Sequence, residues 1–258
     1  MSSLRLILLT PFFGKKKILE QTINSIIKQL DDGDIWIIVL DNQNIKEYEY
    51  IKNKYKQIVF LKNSGPRGAG NSRNKGLDYL SKIIRGEFLF LPFDADDRIQ
   101  TNGIKRIKSK LKNNPNKIVS FSHCKVWPSG EIRKIKYSGI FYLDDLLKRY
   151  NTPCGSTVIK IENSKILKYL RFGSRLRAND VLFFYQAVKH FGRYQCCPEI
   201  FLKYKIGNTK SLSGKKYKMI YYRFLALRDF KLNYFKCLYY TLCYILTGIR
   251  RYVFKHSI

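Results

Sequence analysis

The chain has 258 residues, and its 49 Lys or Arg against 19 Asp or Glu give a formal net charge of +30. A hydrophobic fraction of 45% is typical of a packed globule and excludes a largely disordered chain. The length is enough for one sizeable α/β domain with an appendage. The charge favours an anionic partner, namely nucleic acid, nucleotide phosphates or an anionic membrane surface, without choosing among them.

The cysteines and the apolar runs predict a compartment. No cysteine pair has CxxC spacing, and the adjacent Cys196 and Cys197 are poorly placed for zinc. We therefore expect reduced, mostly structural thiols in the cytosol. The apolar start at Leu4–Leu9 is too short for a secretory signal. No run approaches the about 20 apolar residues that span a bilayer, so we expect the protein to stay inside the cell.

The first part of the chain alternates apolar runs with amphipathic stretches. Helical stripes are predicted around 18–30, 45–55 and 77–84. This β-α-β pattern predicts an α/β fold with a mostly parallel sheet and right-handed crossovers. The predicted strands are Leu4–Leu9, Ile35–Leu40, Ile58–Leu61 and Phe88–Leu91.

A glycine-rich loop, Asn63–Asn71, follows the third predicted strand. Its glycines allow close approach of the backbone, and Arg67 and Arg73 offer donors to phosphate or ribose. The spacing matches neither a P-loop nor GxGxxG. Asn71 or Ser72 is the predicted N-cap of the helix that follows.

The fourth predicted strand ends in three carboxylates, Asp94, Asp96 and Asp97. Ligands bind beyond the carboxyl ends of strands in open α/β sheets, and carboxylate oxygens suit Mg²⁺ or Mn²⁺. The alternative is a simple turn, in which Asp96 or Asp97 caps the helix predicted near Thr101–Asn113. The stretch alone does not decide between a ligand site and a cap.

The second half predicts a mixed sheet. Pro128-Ser129-Gly130 predicts a hairpin between its first two strands. Helices are predicted near 143–150 and 180–190. The predicted strands are Ile118–Val126, Ile132–Ile135, Ser156–Ile159 and Ile200–Tyr204.

Asp180 is a lone carboxylate at the start of the second of these helices. Either Asn179 or Asp180 caps the helix, or Asp180 acts as a general base. Thr10 and Pro11 end the first strand and Asp41 ends the second, so they point toward the same crevice as Asp94.

The order of these motifs resembles the family 2 glycosyltransferases, which are inverting enzymes with the GT-A fold. The resemblance covers about 4–204. It rests on Thr10-Pro11, Asp41-Asn42, Asn63-x-Gly65, Ser72–Leu77, Asp94-Ala95-Asp96-Asp97 and Asn179-Asp180.

The resemblance implies a role for each motif. The first strand end and Asp41 would hold the nucleobase of a nucleotide-sugar donor, and the helix start at Arg73 would lie beside that donor. Asp94 would lie near the ribose, and Asp96 would coordinate Mn²⁺ or Mg²⁺ on the diphosphate. Asp180 would be the catalytic base for a glycan or lipid-linked acceptor.

Two departures keep other functions open. Asn42 and Asn179 stand where the family commonly has acids. A non-catalytic member acting as a binding partner is therefore one alternative. A basic nucleic-acid-binding protein is another, although no binding motif is present and we expect no nucleic acid partner.

The last segment, 206–258, is predicted as a separate helical tail after a glycosyltransferase domain at 1–205. From Lys215 onward ten basic residues meet one acid, Asp229, among many aromatics. Cys237–Ile249 fits an amphipathic interfacial helix, and a helical hairpin that packs on the domain is the alternative. We expect a peripheral location at the cytoplasmic face of the membrane.

Overall fold

The computed structural model describes residues 4–149, 152–175, 177–205 and 216–253. Within them the chain forms the strands β1 (Arg5–Phe12), β2 (Ile35–Asp41), β3 (Ile58–Asn63), β4 (Phe88–Pro92), β5 (Arg98–Ile99), β6 (Ile118–Val126), β7 (Ile132–Ile135), β8 (Gly139–Tyr142), β9 (Thr157–Ile161) and β10 (Arg193–Lys205). The helices are α1 (Lys16–Ile26), α2 (Glu49–Lys54), α3 (Ala69–Ile83), α4 (Gly103–Lys112), α5 (Leu143–Arg149), α6 (Asn179–Phe191), α7 (Lys216–Asp229) and α8 (Tyr234–Val253).

All of the strands join one mixed sheet in the order β3-β2-β1-β4-β9-β6-β10-β5, with β7 beside β6 and β8 beside β10. The first four strands pair in parallel. Strand β9 is antiparallel to both β4 and β6, whereas β6 and β10 are parallel. The predicted parallel first half and mixed second half are therefore confirmed.

Two apolar cores cover the two faces of the sheet. Side chains of β1, β2 and β4 alternate between them, which is why these strands read as continuous apolar runs. Leu19 and Ile23 of α1 and Ile107 of α4 complete one core. Leu77 of α3 and Phe183 of α6 belong to the other. The helix that carries Asp180 is thereby fixed on the same face as α3.

Two strands were not predicted from the sequence, and one predicted strand begins earlier than expected. Strand β5 has two residues, too few to show any periodicity, and β8 begins at Gly139. Strand β10 begins at Arg193, not Ile200, because register shifts between Cys197 and Leu202 interrupt its alternating pattern. Each miss reflects an element whose pairing is set by neighbouring strands rather than by its own sequence.

Helices α7 and α8 pack on the sheet domain through α5 and α6. Leu227 and Cys237 are buried against Leu147. The buried Arg223 donates hydrogen bonds to the carbonyl oxygens of Leu146 and Leu147, at 3.1 and 2.8 Å. Helices α7 and α8 therefore form the helical hairpin that was predicted as the alternative, and this hairpin packs on the domain. The proposed domain division at 205 and 206 remains a prediction, since 206–215 lie outside the described residues.

Substitution of Gly70 tests the contact between α3 and the segment before α6. An added methyl group would lie 1.9 Å from the backbone oxygen of Gly173. We expect Gly70→Ala to lower the free energy of unfolding by about 1–3 kcal/mol, because backbone atoms must shift. Urea denaturation measures this change. The control is Gly33→Ala, whose methyl group meets no atom within 4 Å and should change stability by less than about 0.5 kcal/mol. Equal midpoints for the two variants would contradict the prediction.

Candidate functional site

The carboxyl ends of the parallel strands form the floor of the candidate site. Pro11 pairs with Val39, and Asp41 pairs with Asn63, so three strand ends lie side by side. The amide of Phe93 donates to the carbonyl oxygen of Leu9 at 2.9 Å, which continues this edge to the end of β4. The structure therefore brings the predicted donor residues of β1, β2 and β4 to one edge of the sheet.

The end of β1 presents an aromatic side chain that the sequence reasoning missed. The Thr10 hydroxyl is buried and accepts a hydrogen bond from the Trp36 indole nitrogen at 2.9 Å, while Pro11 is half-buried. The Thr10 side chain therefore anchors the strand end. Phe13, immediately beyond β1, is 69% exposed. A second phenylalanine directly after Phe12, at the start of the loop, was the sequence signal that could have identified it.

Asp41 organises the glycine-rich loop. One carboxylate oxygen accepts from Asn63 Nδ2 at 3.0 Å and the other from the amide of Gly68 at 2.9 Å. Gly68 is the N-cap of α3, so this carboxylate lies at the positive end of the helix. The predicted cap at Asn71 or Ser72 is wrong because both residues lie inside α3. The loop is therefore held by Asp41 from a neighbouring strand.

The rest of the loop leaves one arginine at the surface. Arg67 is exposed, and its carbonyl oxygen accepts from Asn71 Nδ2 at 3.0 Å. Asn42 has a φ of 53°, a conformation that asparagine tolerates better than most residues. Its amide donates to the carbonyl oxygen of Asn63 at 3.0 Å. The turn that links β2 to the loop therefore explains why an asparagine suits position 42.

The acidic turn after β4 is held from several sides. The amide of Asp97 donates to the carbonyl oxygen of Asp94 at 3.2 Å, and the Thr22 hydroxyl donates to the carbonyl oxygen of Ala95. Helix α4 begins only at Gly103, after Asn102, and no side chain caps it. The interpretation of Asp96 or Asp97 as a helix cap is therefore wrong.

The three acids of the turn differ in environment. Asp97 is buried, and burial, together with the charges of Asp94 and Asp96, raises its pKa well above the usual value. One of its oxygens accepts from the amide of Lys205 at 3.4 Å. Asp96 is accessible to solvent at the crevice, where partial desolvation and then the Asp94 charge raise its pKa. A cation beside Asp96 would oppose that shift by favouring the carboxylate.

Asp180 lies in the first turn of α6, after the N-cap residue. The N-cap is Ala178, with a φ of 54°, and no side chain accepts there. Capping by Asn179 or Asp180 is therefore wrong. Asn179 Oδ1 instead accepts from Arg73 at 2.9 Å, and Asp94 accepts from the other terminal nitrogen of Arg73.

Acids from two separate elements lie close to the Arg73 guanidinium. Burial lowers the pKa of its guanidinium, but nearby Cys154, Asp94 and Asp180 raise it by more, so the pKa lies above the usual value. The structure thus brings Asp94, from the turn after β4, and Asp180, from α6, close to the same buried cation. A candidate base and a candidate ligand-binding acid share one crevice.

The acids of the crevice fit a divalent cation that is held partly by a substrate. Among the described residues no group of three or more His, Cys, Asp or Glu side chains is arranged to hold a metal. Mg²⁺ is usually bound by one or two carboxylates together with substrate phosphates and water. Asp96 with Asp94 beside it suits this kind of site, with a phosphate ligand completing it.

The chain belongs to glycosyl transferase family 2, whose sequence pattern matches residues 7–170. It is 30% identical over 223 residues to the uncharacterized glycosyltransferase MJ1057 of Methanocaldococcus jannaschii, covering 83% of this chain and 74% of that protein. It is 23% identical over 256 residues to WfgD of Escherichia coli, named a UDP-Glc:alpha-D-GlcNAc-diphosphoundecaprenol beta-1,3-glucosyltransferase. That match covers 97% of this chain and 96% of WfgD.

Solved structures of Staphylococcus aureus TarS 1–349 share the fold. The complex with UDP-GlcNAc superposes with a TM-score of 0.67 at 15% identity, over 98% of this chain and 74% of that chain. The complex with UDP gives a TM-score of 0.62 at 14% identity, over 96% and 72%. Together with the family match, this establishes the predicted GT-A fold.

Removal of the Asp41 carboxylate should loosen the glycine-rich loop. Asp41→Ala leaves the Gly68 amide and the Asn63 side-chain amide without this acceptor, which should cost about 1–3 kcal/mol of stability. Hydrogen exchange of the Gly68 amide should accelerate. The control, Glu162→Gln, removes a surface ion pair with Lys117 and should leave the exchange rate of the Gly68 amide unchanged. An unchanged exchange rate at Gly68 would refute the role of Asp41 in the loop.

Proposed function

We propose that this protein is an inverting, metal-dependent glycosyltransferase that moves a sugar from a nucleoside-diphosphate donor to a hydroxyl group of a glycan or lipid-linked acceptor. Family membership and fold support transfer of a sugar. The observation that carries the proposed chemistry is the placement of Asp94 and Asp180 around Arg73 at the carboxyl edge of the sheet. Catalysis needs an acid that holds the donor and a base that meets the acceptor in one crevice.

A UDP-sugar is the first donor to test. TarS is described in complex with UDP-GlcNAc and with UDP, and the name of WfgD includes UDP-Glc. We assign the nucleoside to the carboxyl ends of β1 and β2, where Thr10, Pro11 and Asp41 lie and where the exposed Phe13 follows β1. A phenyl ring can stack on a base, which is worth about 1–3 kcal/mol where such stacking has been measured. The exposed Arg67 offers its guanidinium to phosphate or ribose.

Asp180 is the proposed base. Its carboxylate takes the proton of the acceptor hydroxyl as the hydroxyl oxygen forms a bond to the anomeric carbon. The bond from that carbon to the donor phosphate breaks on the opposite side, and its electron pair leaves on the phosphate oxygen. The anomeric configuration is therefore inverted, and no covalent enzyme intermediate is needed.

Asp96 is the proposed metal ligand, with Asp94 near the ribose. Bound Mn²⁺ or Mg²⁺ would act as a Lewis acid toward the leaving diphosphate. The Asp96 carboxylate contributes the negative charge that holds such a cation. Asp97 stays outside this role because it is buried beneath the turn.

The exposed apolar side chains of α8 favour a position of the protein at the membrane surface, where a lipid-linked acceptor would be located. Among the described residues no helix is both long and apolar enough to cross a membrane. Helix α8 instead presents a stripe of exposed apolar side chains at helical spacing, with the basic Lys236 and Arg250 also exposed on it. Such a helix suits an interfacial position on anionic lipid. We propose a peripheral location at the cytoplasmic face of the membrane. The stripe is Phe235, Leu238, Tyr239, Leu242, Leu246 and Ile249.

Two carboxamide substitutions test the proposed chemistry. Asp96→Asn and Asp180→Asn keep the side-chain shape but remove the charge. Each should lower turnover by about 100-fold or more, since a positioned acid or base typically contributes about 100- to 10,000-fold. Turnover is measured as the nucleotide released, which is the nucleoside diphosphate from UDP-, GDP- and TDP-sugars and CMP from CMP-sugars, with and without Mn²⁺. Asp78→Asn is the control, because Asp78 is half exposed on α3 and pairs with Arg171.

The outcomes separate the alternatives. Full transfer by both variants would remove Asp96 and Asp180 from the mechanism. No metal-dependent turnover of any donor by the unmodified chain would favour a non-catalytic binding partner.

Charge insertion tests the membrane surface. Leu242→Glu and Leu246→Glu should each weaken binding to phosphatidylglycerol vesicles by about tenfold or more, because burying one leucine contributes about 1.5–3 kcal/mol. Co-sedimentation measures binding. Ile132→Glu, at an exposed apolar side chain of β7, is the control and should not weaken it. Unchanged binding by both α8 variants would contradict the assignment of this face.

A further inference from the structure

Arg73 is the most deeply enclosed cation at the site. Its side chain is 4% exposed although the guanidinium carries a permanent charge. One terminal nitrogen donates to Asp94 and the other to Asn179 Oδ1, at 2.9 Å in the second case. The Nε atom is buried as well, with no hydrogen-bond partner among the described residues. The guanidinium therefore presents little surface to the crevice.

The contacts of Arg73 join three segments that are distant in sequence. Asp94 follows β4, and Asn179 begins α6. The guanidinium carbon lies 5.1 Å from the centre of the Phe172 ring. Phe172 in turn stacks on Phe183 of α6, with 4.2 Å between ring centres and 3° between planes. One side chain of α3 thus contacts both the acidic turn and the region that positions Asp180.

Neighbouring residues of α3 hold the same region. The Asn74 side chain accepts from the amide of Phe172 at 2.8 Å and donates to its carbonyl oxygen at 2.9 Å. The amide of Gly173 donates to the carbonyl oxygen of Asn179 at 2.7 Å. The absent side chain at Gly70 leaves room for the Gly173 carbonyl. The backbone around Arg73 is therefore fixed independently of its charge.

We propose that Arg73 is a positioning residue that sets the distance and orientation between Asp94 and the start of α6, and that it does not touch the donor. The inference rests on the proposed function, because it assigns a role within that reaction. A planar fork with two engaged nitrogens can orient two partners at once, whereas a lysine ammonium acts as a single point charge. The neutral Asn179 accepts one arm of the fork without adding a negative charge beside Asp180.

Arg73→Lys tests this role by keeping the charge and removing the fork. We expect kcat to fall by about 10- to 100-fold, because small misplacement of reacting groups has effects of this size. The Kd for UDP, measured by calorimetry, should change by less than about twofold, because the substitution removes no contact with the nucleotide. Arg171→Lys is the matched control: Arg171 is one-third exposed, pairs with Asp78, and should keep both values.

Asn179 tests the same hydrogen bond from the other side. Asn179→Leu removes the acceptor at nearly constant size and should reproduce the loss in kcat with the UDP affinity kept. Asn179→Asp retains an acceptor oxygen for Arg73 and should keep more of the turnover than Asn179→Leu. If thermal unfolding shows that Arg73→Lys does not fold, the two Asn179 variants still test whether the hydrogen bond to Arg73 is needed for turnover.

The results separate the inference from the function on which it rests. An active unmodified chain whose Arg73→Lys variant loses UDP affinity while keeping kcat would place Arg73 on the donor and overturn the inference alone. Unchanged kcat and affinity in both Arg73→Lys and Asn179→Leu would also overturn it. An unmodified chain that turns over no donor overturns the proposed function and this inference together.

Discussion

The burial of one arginine charge constrains the whole site. A guanidinium does not lose its proton at any physiological pH, so taking it out of water costs several kcal/mol unless charge and hydrogen bonds compensate. Arg73 obtains both from Asp94, Asn179 and the face of Phe172. These partners belong to different elements. The acidic turn after β4 and the start of α6 must therefore lie close to α3 for the charge to be accommodated.

The fold provides that proximity by letting α3 approach both the sheet and the loop before α6. A methyl group at Gly76 would lie 2.2 Å from a Leu9 methyl carbon, and one at Gly70 would lie 1.9 Å from the Gly173 carbonyl oxygen. Both glycines thus act through close packing inside a helix. Asp41 fixes the N-terminus of the same helix from β2. Sheet, helix and acids are consequently positioned by one set of contacts around α3.

Much of this arrangement could be predicted from sequence because it depends on local pattern. Doubly buried parallel strands give apolar runs, and ligand-binding acids follow those runs at the carboxyl edge. Asp41 and Asp94 were predicted in this way, whereas Asp180 was predicted as a lone carboxylate at the start of an apolar helix. The features that could not be predicted depend on packing between residues that are distant in sequence. The burial of Arg73 follows from partners that are 21 and 106 residues away, which no local pattern reveals. The cap assignment for α3 failed because Asp41, which is distant in sequence, accepts from the N-cap amide of that helix.

The stereochemistry of transfer tests the central claim most directly. A single displacement driven by Asp180 requires the new glycosidic bond to have the anomeric configuration opposite to that of the donor. Proton NMR of the product, collected early in the reaction with the donor that the unmodified chain accepts, reports this configuration from the anomeric coupling constant. The account predicts a β-linked product from an α-linked nucleotide sugar that carries an equatorial 2-substituent. An α-linked product from the same donor would contradict it, since retention requires a different arrangement of reacting groups.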